Sequence, residues 1–257
     1  PQRPARGLRP APLAEIRFDA LPADVAARVP GAARDLAAEI AKLKVRVVES
    51  EAITTQFAKA NRLSPDGLMQ MTLQLAHYAL HGRPASTYES ASTAAFKHGR
   101  TETIRAATPE SQRFAALFCD ASSGTAERLA ALREAVKVHS AVTRDAVMGM
   151  GVDRHLYALR ELSRELKGAP PDALDDETYK TFSKILISTS TLSSAALADG
   201  GFGPVNPECY AAGYGIRDHG CRFVVRSQNA DTDDFADAIL RAQLDIRAAI
   251  EKGGPLA

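Results

Sequence analysis

The chain reads as a mixed α/β fold on three observations. Segments rich in β-branched residues, suited to buried strands, stand at LKVRVVES (43–50), KILISTS (184–190) and CRFVVR (221–226). Between them run long stretches whose apolar residues recur at helical spacing. The two kinds alternate along the chain, without an internal repeat or a low-complexity linker, as one domain built from both requires.

Taken in order, residues 14–18 (AEIRF) have the makings of a short strand. Ala-rich spacing predicts a helix over 31–43, after which alternation in LKVRVVES predicts a strand. Ser64-Pro65-Asp66 is a helix start: Ser as N-cap, Pro in the first turn, and Asp where the helix dipole favours negative charge. Leu68, Met71, Leu75 and Ala79 then share a face, and Gly82 and Pro84 close the helix. Residues 85–90 turn extended. From 108 to 166 the pattern is helical, with breaks at Ser122-Ser123-Gly124 and Gly149-Met150-Gly151. Gly and Pro clustered between 200 and 215 mark a long loop, with GYGIRD (213–218) as a further strand candidate. Asp231-Thr232-Asp233-Asp234 opens a last helix, on which Phe235, Ile239, Ala242 and Ile246 share a face.

Composition bounds the function. A chain of 257 residues, 45% hydrophobic and 25% charged, can bury a substantial core. Its formal charge of +1 offers no concentrated basic face for nucleic acid. No apolar run approaches the roughly 20 residues that span a bilayer. The first residues, PQRPARGLRPAP, are basic and Pro-rich without the apolar core of a secretory signal, and they lack an initiator Met, as a processed or truncated start would. Disorder is expected over 1–12, ahead of a domain over 13–257. Cys119, Cys209 and Cys221 share no metal-type spacing and read as free thiols of a reducing compartment.

The most informative run is STYESASTAAFKHGRTETIR, residues 86–105, in which eight hydroxyls surround two carboxylates and three cationic side chains. Five other motifs accompany it: LSPD at 63–66, GMGVDRHLYAL at 149–159, STSTLSS at 188–194, GGFGPV at 200–205 and GYGI at 213–216. On the residues alone each has a plain structural reading. Tyr88 suits an amphipathic core position, Arg154 an exposed helix ion pair, Ser188-Thr189-Ser190 a turn, and Phe202 the core. Together, in this order and near these spacings, the motifs resemble the carnitine/choline acyltransferase family, in particular its carnitine palmitoyltransferase II branch.

That resemblance implies a chloramphenicol-acetyltransferase-like mixed sheet flanked by helices, forming most of one of the enzyme's two domains. It implies carnitine O-acyltransferase activity, moving acyl groups between coenzyme A and carnitine, with coenzyme A as co-substrate and neither a metal nor another cofactor. Tyr88, Ser90, Thr101 and Arg154 fall where family members bind the carnitine carboxylate, a buried charge that needs hydroxyl donors and a cation. Choline users lack this set, choline having no carboxylate. Ser188 lies beside it. Ser190, last hydroxyl of the Ser-Thr-Ser motif, would stabilise the oxyanion of the tetrahedral intermediate. Phe202 would face the trimethylammonium group through a cation–π contact. Lys59, Arg62 and Asp66 match coenzyme A positions, with Thr55 standing where acetyl-transferring relatives often carry Lys. Gly200 replaces a bulky Met of short-chain relatives and leaves room for a medium or long acyl chain.

The family's base is a histidine in a His-x-x-x-Asp/Glu context. Of His77, His81, His98, His139, His155 and His219, only His98, with Glu102, has that spacing, and it belongs to the HGRTET motif, where it would hold the loop presenting Thr101. The resemblance therefore implies a partner: the half of the polypeptide that carries the catalytic histidine. The other reading is a non-catalytic module that binds acyl-CoA, carnitine or a protein. A bacterial cytoplasm or a mitochondrial matrix suits either.

Overall fold

In the computed structural model the described residues are 14–18, 21–191, 197, 200–229 and 231–254. The stretch expected to be disordered, 1–12, lies outside them, as do residues 192–194 of the STSTLSS motif. The chain divides into two compact units, one ending at Lys42 and one beginning at Leu43.

In the first unit, residues 14–18 do not form the expected strand. Strand geometry is held by a ladder with a second strand. Here Ile16 and Phe18 are exposed, and Arg17 pairs locally with Glu15 at 2.9 Å. Helix α1 (Ala23–Lys42) starts well before the expected residue 31 and runs through Pro30. Proline removes one backbone donor, and the Ala-rich turns on either side, strong helix formers, carry the helix past it.

The second unit opens with β1 (Lys44–Ser50), the short helix α2 (Thr55–Ala60) and α3 (Pro65–His81). The start of α3 is built as its sequence requires: the Ser64 hydroxyl accepts the Gly67 N–H at 3.1 Å, and Gly82 ends the helix at φ 66°. Residues 67–77 are buried all round, because α3 packs against later helices as well as the sheet. Ala79, expected on its buried face, is exposed. There follow β2 (Thr87–Ser92), β3 (Thr101–Ile104), α4 (Pro109–Cys119), α5 (Thr125–Val147), α6 (Asp153–Lys167), α7 (Glu177–Ser183) and β4 (Ile187–Thr191). The unit closes with β5 (Tyr210–Arg217), β6 (Gly220–Ser227) and α8 (Thr232–Gly253).

The six strands form one mixed sheet in the order β1-β6-β5-β4-β2-β3. β2, β4 and β5 run parallel, and the remaining pairs are antiparallel. Alternation gives the sheet two faces. Val48, Phe223, Val225, Tyr214, Ala212 and Ile187 point towards α3 and α8 and join Leu68, Met71, Phe114, Phe235 and Ile239 in the core. On the opposite face stand Val45, Val47, Arg226, Val224, Gly213, Ser188, Ser190, Tyr88 and Ser90, by the pairing register.

Strand β5 begins at Tyr210, inside the stretch expected to be loop. Its Gly213 is a matter of space: a Cβ there would lie 2.4 Å from the carbonyl oxygen of Gly200, in the segment that crosses over the strand.

Candidate substrate-binding site

Register places the hydroxyls. β2 and β4 pair Tyr88 with Ser188, and β4 and β5 pair Ser190 with Gly213. β2 and β3 pair Ser90 with Thr103 and Ser92 with Thr101. Tyr88, Ser90, Ser188, Ser190 and Thr101 therefore stand on one face of three adjacent strands. Ser188 is buried, Tyr88, Ser90 and Ser190 are half-buried, and Thr101 is exposed at the sheet edge.

Arg154, in the first turn of α6, reaches back to this wall. Its Nη2 donates to the Tyr88 hydroxyl at 3.3 Å and to Thr101 Oγ1 at 3.2 Å, and its Nε donates to the Thr101 carbonyl at 3.3 Å. Its guanidinium carbon lies 5.9 Å from the centre of the Tyr88 ring. Three residues from two separate motifs, 86–105 and 149–159, thus converge. A cation flanked by hydroxyls on a half-open surface is the arrangement that holds a carboxylate.

Beneath the wall, on the helix side, lies a buried polar network. The Tyr214 hydroxyl donates to Asp66 Oδ1 at 2.6 Å and lies 3.3 Å from Glu89 Oε1, while Gln70 Nε2 donates to it at 3.0 Å. His139 Nε2 is 2.9 Å from Glu89 Oε2. Gln70 Nε2 also donates to Thr189 Oγ1 at 3.0 Å, and Thr189 in turn donates to the Tyr88 carbonyl at 2.9 Å. Burial raises the Glu89 carboxyl above the usual range against the pull of His139, and Asp66 adds to the rise. Burial, then the two carboxylates, hold the Tyr214 hydroxyl well above its ordinary value. Asp66, Glu89 and His139 present ligand-type atoms within 4.8 Å of one another, as a metal site would, but these atoms are engaged in the network just described. The network joins β2, β4 and β5 to α3 and α5, directly behind the residues of the wall.

The coenzyme A candidates separate. Lys59 and Arg62 are exposed at the end of α2 and in the turn after it. Arg62 adopts φ 55°, a left-handed conformation that disfavours a side chain. Asp66, in the first turn of α3, points instead to Tyr214. Gly200 and Phe202 lie on the segment crossing β5. Phe202 is half-buried and, among the described residues, makes no ring contact with the Tyr88, Thr101 and Arg154 group. His98 is exposed in the β2–β3 loop, which is closed by backbone bonds such as Thr93 N–H to the Arg100 carbonyl at 3.1 Å.

The model of the Choline/Carnitine o-acyltransferase family matches residues 2–241. The chain belongs to this family. Among its relatives, carnitine O-palmitoyltransferase 2 of Xenopus tropicalis is 36% identical over 213 residues, 81% of this chain and 32% of that protein. Its Homo sapiens counterpart is 38% identical over 200 residues, 76% of this chain and 30% of that protein. Choline O-acetyltransferase of Mus musculus is 36% identical over 197 residues, 74% of this chain and 31% of that protein. The chain thus spans about a third of the length of these curated relatives. The family's name joins choline and carnitine, and membership does not decide between them.

Sequence reasoning missed His139, Gln70 and Tyr214 as members of the site's underlay. A histidine on the apolar face of α5 and a glutamine inside α3 were the available signals, polar residues at positions that must be buried.

Proposed function

We propose that the chain supplies the carnitine wall of a carnitine O-acyltransferase that moves medium or long acyl groups between coenzyme A and carnitine. The observation that carries this is the convergence of Arg154, Thr101 and the Tyr88 hydroxyl, within 3.3 Å, on the exposed edge of the hydroxyl face. Choline carries no carboxylate and has no use for such a cation, so the arrangement favours carnitine as acceptor. Ser90 and Ser188 extend the wall. Ser190, beside Gly213, has the hydroxyl suited to an oxyanion. Phe202 is assigned to the trimethylammonium group, and Lys59, Arg62 and Asp66 to coenzyme A. Gly200 opens volume for the acyl chain, which then selects by about 0.8 kcal/mol per methylene.

The fold proposed for the whole enzyme is two related chloramphenicol-acetyltransferase-like domains around a tunnel, this chain forming most of one. None of the six histidines hydrogen-bonds to the wall among the described residues, which supports a base supplied by another part of a longer polypeptide. A mitochondrial matrix or a bacterial cytoplasm is the compartment proposed.

Acyl transfer from palmitoyl-CoA to L-carnitine, assayed with the chain alone and with a histidine-bearing half added, tests this reading. Activity is expected only with both. Turnover by the chain alone overturns the assignment of the base elsewhere. Ser190→Ala should lower turnover by roughly a hundred-fold or more, with the carnitine requirement little changed. Thr101→Val should raise that requirement, and an unchanged requirement removes Thr101 from the site. Carnitine and acyl-CoA binding without turnover, even with the added half, would mark a non-catalytic module.

A further inference from the structure

Strand β3 and Arg105, the residue after it, grip the start of α6 at two points. The residue before the helix, Val152, has no side chain with which to cap it. Glu102 serves in its place: its Oε1 accepts the Arg154 backbone N–H at 3.3 Å while accepting the Thr103 N–H at 2.6 Å. The carboxylate is 5% exposed, yet it meets the positive end of a helix dipole, which offsets part of its desolvation. Gly151 makes the approach possible, since a Cβ there would lie 2.3 Å from Glu102 Cγ and 2.6 Å from Cδ. One residue along, Asp153 is held by Arg105 through Nε at 3.0 Å and through Nη2. The first turn of α6 is thus held at Arg154 by β3 and at the residue before it by Arg105, just past that strand, and the Arg154 side chain then returns to Thr101 on β3.

We propose that Glu102 is a positioning residue: it fixes the backbone of Arg154 so that the guanidinium faces a substrate carboxylate, and so sets the preference for carnitine over choline. This rests on the carnitine reading above. A guanidinium binds a carboxylate through directed donors, so a small displacement of its root misaligns them. Binding of choline has no carboxylate to misalign, and does not depend on Glu102.

The test measures L-carnitine and choline dissociation constants of the full chain by calorimetry, for the unsubstituted chain, Glu102→Gln, Glu102→Ala, Gly151→Ala and Arg154→Ala, with melting temperature as a check on folding. Glu102→Gln keeps the accepting oxygen and should bind carnitine within about two-fold of the unsubstituted chain. Glu102→Ala and Gly151→Ala should weaken carnitine roughly ten- to hundred-fold, the range of a lost charged hydrogen bond, with choline unchanged. The Arg154 Nε–H nuclear magnetic resonance, read without ligand, should keep its hydrogen-bonded position in Glu102→Gln and lose it in both alanine variants. An unmoved resonance in Glu102→Ala, or equal weakening of both ligands, overturns the positioning role whatever the substrate. If Arg154→Ala leaves carnitine binding intact while the resonance moves as expected, the carnitine reading fails and the positioning of Arg154 stands.

Discussion

On the side of the sheet that meets α3, α5 and α8, alternate residues of the central strands are either apolar and buried, like Phe223 and Ile187, or tied into the Asp66, Glu89, His139 and Tyr214 network. On the other side, the same strands carry Tyr88, Ser90, Ser188 and Ser190, while Val45 and Val47 of β1 are 50% and 53% exposed. The two faces share every backbone hydrogen bond and differ only in what the side chains meet. Buried apolar packing is concentrated on one and partly exposed hydroxyls on the other. The buried network lies where the two faces meet, because Glu89 and Thr189 are each one residue from members of the wall and Tyr214 is one residue from Gly213, which pairs with Ser190.

Substitutions that separate the faces should follow this division. Phe223→Ala, fully buried on the helix side, is expected to cost about 3–5 kcal/mol in denaturant unfolding. A loss under 1 kcal/mol would mean that the covered face is not the stabilising one. The next effect is one of pH. His77, on α3, sits buried against Tyr210, where burial, then the neighbouring His81, push its pKa down to about 4 from 6.5. The folded chain then holds His77 neutral while the unfolded chain protonates it below about 6.5. Stability is full above that pH and falls as pH drops towards 4, by on the order of 3 kcal/mol. Unfolding free energies of the unsubstituted chain and His77→Gln, compared across that window, should differ in slope, and parallel curves would refute the assignment.

Smaller effects sharpen the same contrast. Tyr214→Phe removes the donor on which Asp66 and the network depend and should cost about 1–3 kcal/mol, against about 0.5 kcal/mol or less for Tyr88→Phe on the open face. Smallest of all, Val47→Thr should change unfolding free energy by at most about 0.5 kcal/mol. A large loss there would show that the outer face is packed in the molecule as it exists.

The elements that chemistry fixes locally were legible in the sequence. Ser64-Pro65-Asp66 carries its own cap, and the β-branched run at 221–226 needs little context to be a strand. Strand β3 was not legible as a strand, since Thr101-Glu102-Thr103 becomes one only by pairing with β2 across a tight loop. Residues 14–18 failed in the opposite direction, having a strand's composition without a partner. Arg154 was identified by resemblance alone. Nothing in the order of residues says that its side chain meets Tyr88, 66 positions earlier, because that depends on how β3 seats α6. The same holds for His139 and Glu89, 50 residues apart and joined only by packing.

Among the described residues β3 is also the last strand of the sheet, and no further strand pairs with its outer backbone groups. A bare margin of this kind recruits strands from other molecules and seeds aggregates. Arg154 occupies part of that margin by donating to the Thr101 carbonyl. The same guanidinium thus takes up one backbone acceptor that a strand from another molecule would otherwise find open.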